Sequence, residues 1–156
     1  METVTDTATT QPAADLGETA ARLRLSATRL ARILRQQSDA GFTPTQISAL
    51  ATVHRCGPIP VGTLADEEQV AAPTTTKIVE KLHASGLVER VGDPADRRVT
   101  LVSLTTAGRD LLADIRARKT AWLSTRLAEL TASELARLTD ALEVLEHLTT
   151  AQKDPS

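Results

Sequence analysis

The sequence predicts a mainly α fold that carries one small β-hairpin. Three observations carry this prediction. Apolar residues recur at helical steps of three and four through most of the chain. Aromatic residues make up 1% of 156 positions, so Leu, Val, Ile and Ala must build the core, and these suit helices. One stretch breaks the helical pattern: residues 87–91 and 99–104 read as short strands around the charged turn GDPADRR.

Residues 1–14 are small, polar and without periodicity, and are expected to form a disordered tail. Residues 15–39 read as a long helix. Its seam is Leu16, Ala20, Leu23, Ala27, Leu30 and Leu34, and its arginines fall mostly off that seam. Gly41 stops it. Thr43-Pro44-Thr45-Gln46 then supplies an N-cap, a first-turn proline and a reciprocal glutamine. This second helix runs to about Arg55, with Ile47, Leu50 and Val53 inward, and Gly57-Pro58 ends it. Pro60 can open a short helix that buries Leu64 and Ala65 and ends near Glu68.

Pro73 opens the next helix, which runs to about Ala84 and buries Thr75, Ile78, Val79 and Leu82. Ser85-Gly86 closes it with a left-handed stop. The hairpin follows, and Thr105 caps a long helix that reaches about Glu129. Thr131 and Glu134 form a full capping box for a final helix bearing Leu135, Leu138, Leu142, Leu145 and Leu148. There is no internal repeat. The organisation expected is a tail at 1–14, a terminal helix at 15–40, a central module at 43–104, and terminal helices at 105–150, all in one structural domain.

Composition excludes several classes. The single cysteine, Cys56, permits no intrachain disulfide and fits a reducing cytosol. The N-terminus has neither the basic nor the apolar region of a signal peptide. No stretch approaches the ~20 apolar residues of a membrane span. No phosphate loop, nucleophile elbow or paired His/Asp set supports an enzyme. His54, Cys56, His83 and His147 lack metal-ligand spacing, so neither metal nor cofactor is expected. Trp122 reads as a packing residue, and Cys56 as a plain surface thiol.

The order helix, short helix, turn, helix, strand, basic turn, strand is that of a winged helix-turn-helix. Such a module lays its second helix in the major groove of DNA. At 100° per residue, Pro73, Lys77, Glu80 and Ala84 point away from the buried face, with Thr74, Thr76 and Lys81 beside them. Threonine hydroxyls and lysines can meet bases or phosphates. Arg97 and Arg98 at the wing tip can enter the neighbouring minor groove, where narrow width focuses negative potential. Asp93 and Asp96 are expected to shape the turn and fix the arginine side chains. The net charge of −2 is not that of a basic DNA binder, but binding needs only a local positive face. The competing reading is a winged-helix module for protein interaction alone. It draws support from five basic against four acidic residues over positions 72–98.

Two segments carry a resemblance. VAAPTTTKIVEKLHASGLVER and DPADRRVTLVSLTTAGRDLL resemble the recognition segment and wing of MarR-family transcription regulators. The resemblance spans residues from about 16 to 148. It implies a cytoplasmic homodimer whose first and last helices interlock and whose winged modules bind a pseudo-palindromic operator. It also implies a repressor released by a small, often aromatic, ligand. Carried onto this chain, the DNA contacts fall on Ala72, Pro73, Thr74, Thr76 and Lys77, and on Arg97 with Arg98 adjacent. Ala71 and Ala72 depart from the serine and polar residues common in the family. Losing a serine N-cap costs about 1 kcal/mol of helix stability, and Ala72 cannot hydrogen-bond a base. The narrow seams at residues 16–34 and 135–148 argue independently for a dimer, with an intrachain helical bundle as the alternative.

Overall fold

The structure is a computed structural model that describes residues 13–37 and 41–150. The chain divides into two compact units, Met1–Asp39 and Ala40–Ser156. The first contains α1 (Ala13–Gln36). Ala13 and Ala14 are already helical; the rest of the expected tail lies outside the described residues. Leu16, Leu23, Leu25 and Leu30 of α1 are exposed.

The second unit holds the remaining elements. These are α2 (Pro44–Cys56), β1 (Ile59–Pro60), α3 (Val61–Glu68), α4 (Ala72–Ala84), β2 (Val88–Gly92), β3 (Thr100–Leu104), α5 (Thr106–Leu127) and α6 (Ala132–Thr150). The capping box of α2 is formed as the sequence predicts. The Thr43 hydroxyl accepts from Gln46 N–H at 3.3 Å, and Gln46 Oε1 accepts from Thr43 N–H at 2.9 Å. Pro60 sits at the N-cap of α3 and opens it, as the sequence predicts.

The sheet has three strands in the order β1-β3-β2, all antiparallel. The hairpin β2–β3 matches the sequence expectation to within one residue. The strand β1 was not expected. It pairs Ile59 with Val102 and Pro60 with Leu101, and two residues ending in proline carry no strand signal. Its place is decided by tertiary packing, with Ile59 buried in the core.

One core joins these elements, with α6 outside it. Leu50 and Val53 of α2, Leu64 of α3, Val79 and Leu82 of α4, Val88 of β2 and Val102 of β3 are almost fully buried. Leu112 of α5 belongs to the same cluster, so the first half of that helix is part of the central module. Each such leucine or valine contributes about 1.5–3 kcal/mol on burial. The second half of α5 is more open: Trp122 is half-buried, with the Arg126 guanidinium 5.5 Å from its ring centroid. No residue of α6 is buried, and its Leu135, Leu138, Leu142 and Leu148 are 36–60% exposed.

Candidate nucleic-acid interface

The faces of α4 follow from its sequence. Thr75, Val79 and Leu82 are buried, with Thr75 only 1% exposed and its hydroxyl donated to Ala71 O at 3.4 Å. Ala72, Pro73, Thr74, Thr76, Lys77 and Lys81 are all exposed. The N-cap is Ala71, which offers no side-chain acceptor. Its carbonyl instead receives the Thr74 and Thr75 N–H groups at 2.9 and 3.0 Å. Pro73 has no N–H, which removes one donor the helix start would otherwise leave unsatisfied. Thr76 donates its hydroxyl to Ala72 O at 3.0 Å and keeps its oxygen free to accept.

The wing grows from the end of α4. Gly86, at φ +73, takes the left-handed turn that stops the helix. Leu87 N–H then bonds to Leu82 O at 3.0 Å. Thr105 ties the far end of the hairpin to the same place: its hydroxyl donates to Gly86 O at 2.7 Å, and its N–H reaches Leu87 O at 3.1 Å. The Thr105 hydroxyl also accepts from Gly108 N–H at 3.1 Å, capping α5. Gly108 is required by contact: a Cβ there would lie 2.2 Å from Leu87 O. The TTAG segment thus fixes the wing, the end of α4 and α5 to one another.

At the wing tip, Asp93 N–H bonds to Val99 O at 3.0 Å and Val99 N–H to Asp96 O at 2.9 Å. The Asp93 carboxylate accepts from Ala95 N–H at 2.8 Å, and that of Asp96 from Arg98 N–H at 3.0 Å. The aspartates therefore hold backbone rather than the arginine side chains, which corrects the second half of the sequence expectation. Short Asx turns satisfy these carboxylates locally. Arg97 and Arg98 are exposed and form no ion pair among the described residues, nor do Lys77 and Lys81. By contrast Arg55, Arg118 and Arg126 pair with Glu67, Asp114 and Glu129. Arg90 on β2, not singled out from sequence, is a further exposed and unpaired cation of the wing. Its signal lay in the sequence as an arginine on a wing strand.

Two other features bear on function. A cleft of about 580 Å³ between α2 and α5 is lined by Ser48, Ala51, Thr52, His54, Arg55 and Arg116. Cys56 is exposed at the end of α2. Among the described residues no cluster of His, Cys, Asp or Glu could hold a metal ion, and no helix is long and apolar enough to cross a membrane.

A three-helix core with a β-hairpin wing, and unpaired cations on the last helix and the wing, defines a winged helix-turn-helix. Comparison with known proteins places it more narrowly. The MarR family profile matches residues 42–100. The chain is 35% identical over 127 residues to the HTH-type transcriptional regulator Mb0904 of Mycobacterium bovis, covering 81% of this chain and 89% of the relative. A transcriptional regulator from Pseudomonas aeruginosa superposes with a TM-score of 0.77 at 32% identity, over 88% of this chain and 97% of the other. Transcriptional regulator Tm0710 from Thermotoga maritima superposes with a TM-score of 0.78 at 25% identity, over 90% and 99%. The chain belongs to the MarR family of HTH-type transcriptional regulators, and is a DNA-binding regulator rather than an enzyme.

Proposed function

We propose that the protein is a homodimeric, sequence-specific repressor that binds a pseudo-palindromic operator in the cytoplasm and is released by a small molecule. The observation that carries the DNA contact is the set of exposed, unpaired cations placed on α4 and the wing of one rigid module. Ala72 and Pro73 let the start of α4 approach the groove closely. Thr74, Thr76 and Lys77 meet base edges or adjacent phosphates, and Lys81 meets the backbone. Arg97 enters the minor groove, with Arg98 and Arg90 on the flanking phosphates. Asp93 and Asp96 keep the tip in shape while their own charges are turned to backbone N–H groups.

Residues 43–104 are the DNA-binding region. The helices at 15–40 and 105–150 are the dimerisation region, with the first half of α5 packed into the core of the DNA-binding region as well. Support for this comes from α6, whose Leu135, Leu138, Leu142 and Leu148 stand exposed in the single chain, and from the exposed leucines of α1. Repression is supported by MdtR of Bacillus subtilis, named a transcriptional repressor, to which the chain is 28% identical over 103 residues. The cleft between α2 and α5 is the candidate seat of a small, aromatic effector, with Arg116 on its α5 wall.

The test is selection of bound fragments from the source genome, followed by fluorescence anisotropy on the recovered duplex. A palindromic fragment bound by two chains, and released on raising salt, is the expected result. The alternative, a module for protein interaction only, is favoured by the near-balanced charge of residues 72–98. It predicts that no fragment is enriched over random sequence.

A further inference from the structure

A polar network between α2 and α3 holds the turn that precedes α4. The short helix α3 ends in three consecutive acids, Asp66, Glu67 and Glu68. Carboxylates at a helix C-terminus face the negative end of its dipole, which disfavours them there. Two of the three have partners on α2. Thr52, 7% exposed, donates its hydroxyl to Glu68 Oε1 at 2.6 Å. Arg55, one turn along, pairs through Nη2 with Glu67 Oε2 at 3.1 Å and reaches Thr52 Oγ1 at 3.4 Å.

The next residue is Gln69. It has a φ of +52, and no other non-glycine residue described has a positive φ. A side chain in the left-handed region is disfavoured, so the surrounding contacts must hold it. Its N–H returns to Asp66 O at 3.1 Å, and Val70 N–H returns to Ala65 O at 3.0 Å. Ala71 is already the N-cap of α4. A single sharp bend therefore lies between Glu68 and the recognition helix, and fixing Glu68 fixes the direction in which the chain enters α4.

We propose that Glu68, gripped by Thr52, is a positioning residue for DNA binding: it sets the pose of α4 relative to the wing. The Thr52–Glu68 bond is the main element, because it is short, charge-assisted and shielded. The Arg55–Glu67 pair has side chains 66% and 46% exposed, and adds little alone. Its part is to keep Arg55 against the Thr52 hydroxyl. The proposal rests on the DNA-binding reading given under Proposed function.

The test compares wild type, Glu68→Ala, Glu68→Gln, Thr52→Val and the double variant Thr52→Val/Glu68→Ala on the operator recovered from genomic selection. Bulk electrostatics predicts that removing a carboxylate tightens DNA binding. Positioning predicts the opposite for Glu68→Ala: operator affinity falls about tenfold, while affinity for random-sequence duplex does not fall. Glu68→Gln keeps an acceptor for the Thr52 hydroxyl and retains at least wild-type affinity. Thr52→Val changes shape little and charge not at all, and reproduces the alanine loss. The double variant is no weaker than either single one.

Operator binding by Glu68→Ala at or above the wild-type level overturns the proposal, as do two single losses that simply add. If Glu68→Ala does not fold, as read by circular dichroism, the comparison of Thr52→Val with Glu68→Gln decides in the same way. A wild type that selects no fragment overturns the DNA-binding reading and this proposal together. A wild type that binds beside variants that are unaffected overturns the positioning role alone.

Discussion

Arg97 and Gly108 show how two residues of one motif do different work. Arg97 is exposed and unpaired at the wing tip, so its substitution bears on the partner rather than on the fold. Arg97→Ala is expected to weaken operator binding about tenfold and to lower the slope of log affinity against log salt by about 1. Anisotropy titrations at several salt concentrations give both numbers, with the thermal midpoint unchanged. Gly108 is the reverse case. A methyl group there meets the Leu87 carbonyl, a backbone atom that cannot swing aside. Gly108→Ala is expected to cost about 1–3 kcal/mol of stability, read from urea unfolding of the purified variant.

At the scale of elements, helix ends were the most legible part of the sequence, because capping chemistry is local. Thr43 with Gln46, Thr105 with Gly108, and Thr131 with Glu134 all form the bonds their spacing predicts. The buried and exposed faces of α4 were legible for the same reason. What stayed hidden depends on partners distant in sequence. The strand β1 exists because Ile59 meets Val102, and Glu68 is held by a threonine sixteen residues before it. The backbone targets of Asp93 and Asp96 depended on the fold of the turn, which charge pattern alone does not give. The Thr131–Glu134 box has a pH consequence. Donation from the Thr131 N–H and hydroxyl holds the Glu134 carboxyl below its ordinary range. A lowered folded-state value means the contribution is fully present above the unfolded-state value and is lost as pH falls through the folded one. Helicity at the start of α6 should therefore fray at acidic pH in the wild type, and this pH dependence should be smaller in Glu134→Gln; circular dichroism titration compares the two.

For the molecule as a whole, the unfinished surface of α6 leads to a prediction about assembly. Leu138→Glu with Leu142→Glu places charge on that seam, and should convert the proposed dimer to a monomer in sedimentation analysis. The wild-type thermal midpoint should rise with protein concentration, as linkage requires of a folded dimer, and that dependence should disappear in the variant. The net charge of −2 matters here too. It implies weak attraction for DNA in general, so discrimination must come from where the cations sit rather than from how many there are. A last consequence follows from the small sheet. One edge is β1, two residues long and closed by Pro60; the other is β2, which carries Glu89 and Arg90. A short edge ending in proline and an edge lined with charge both resist the addition of another strand. Copies brought close together on neighbouring DNA sites are thus disfavoured from joining wing to wing through their sheet edges.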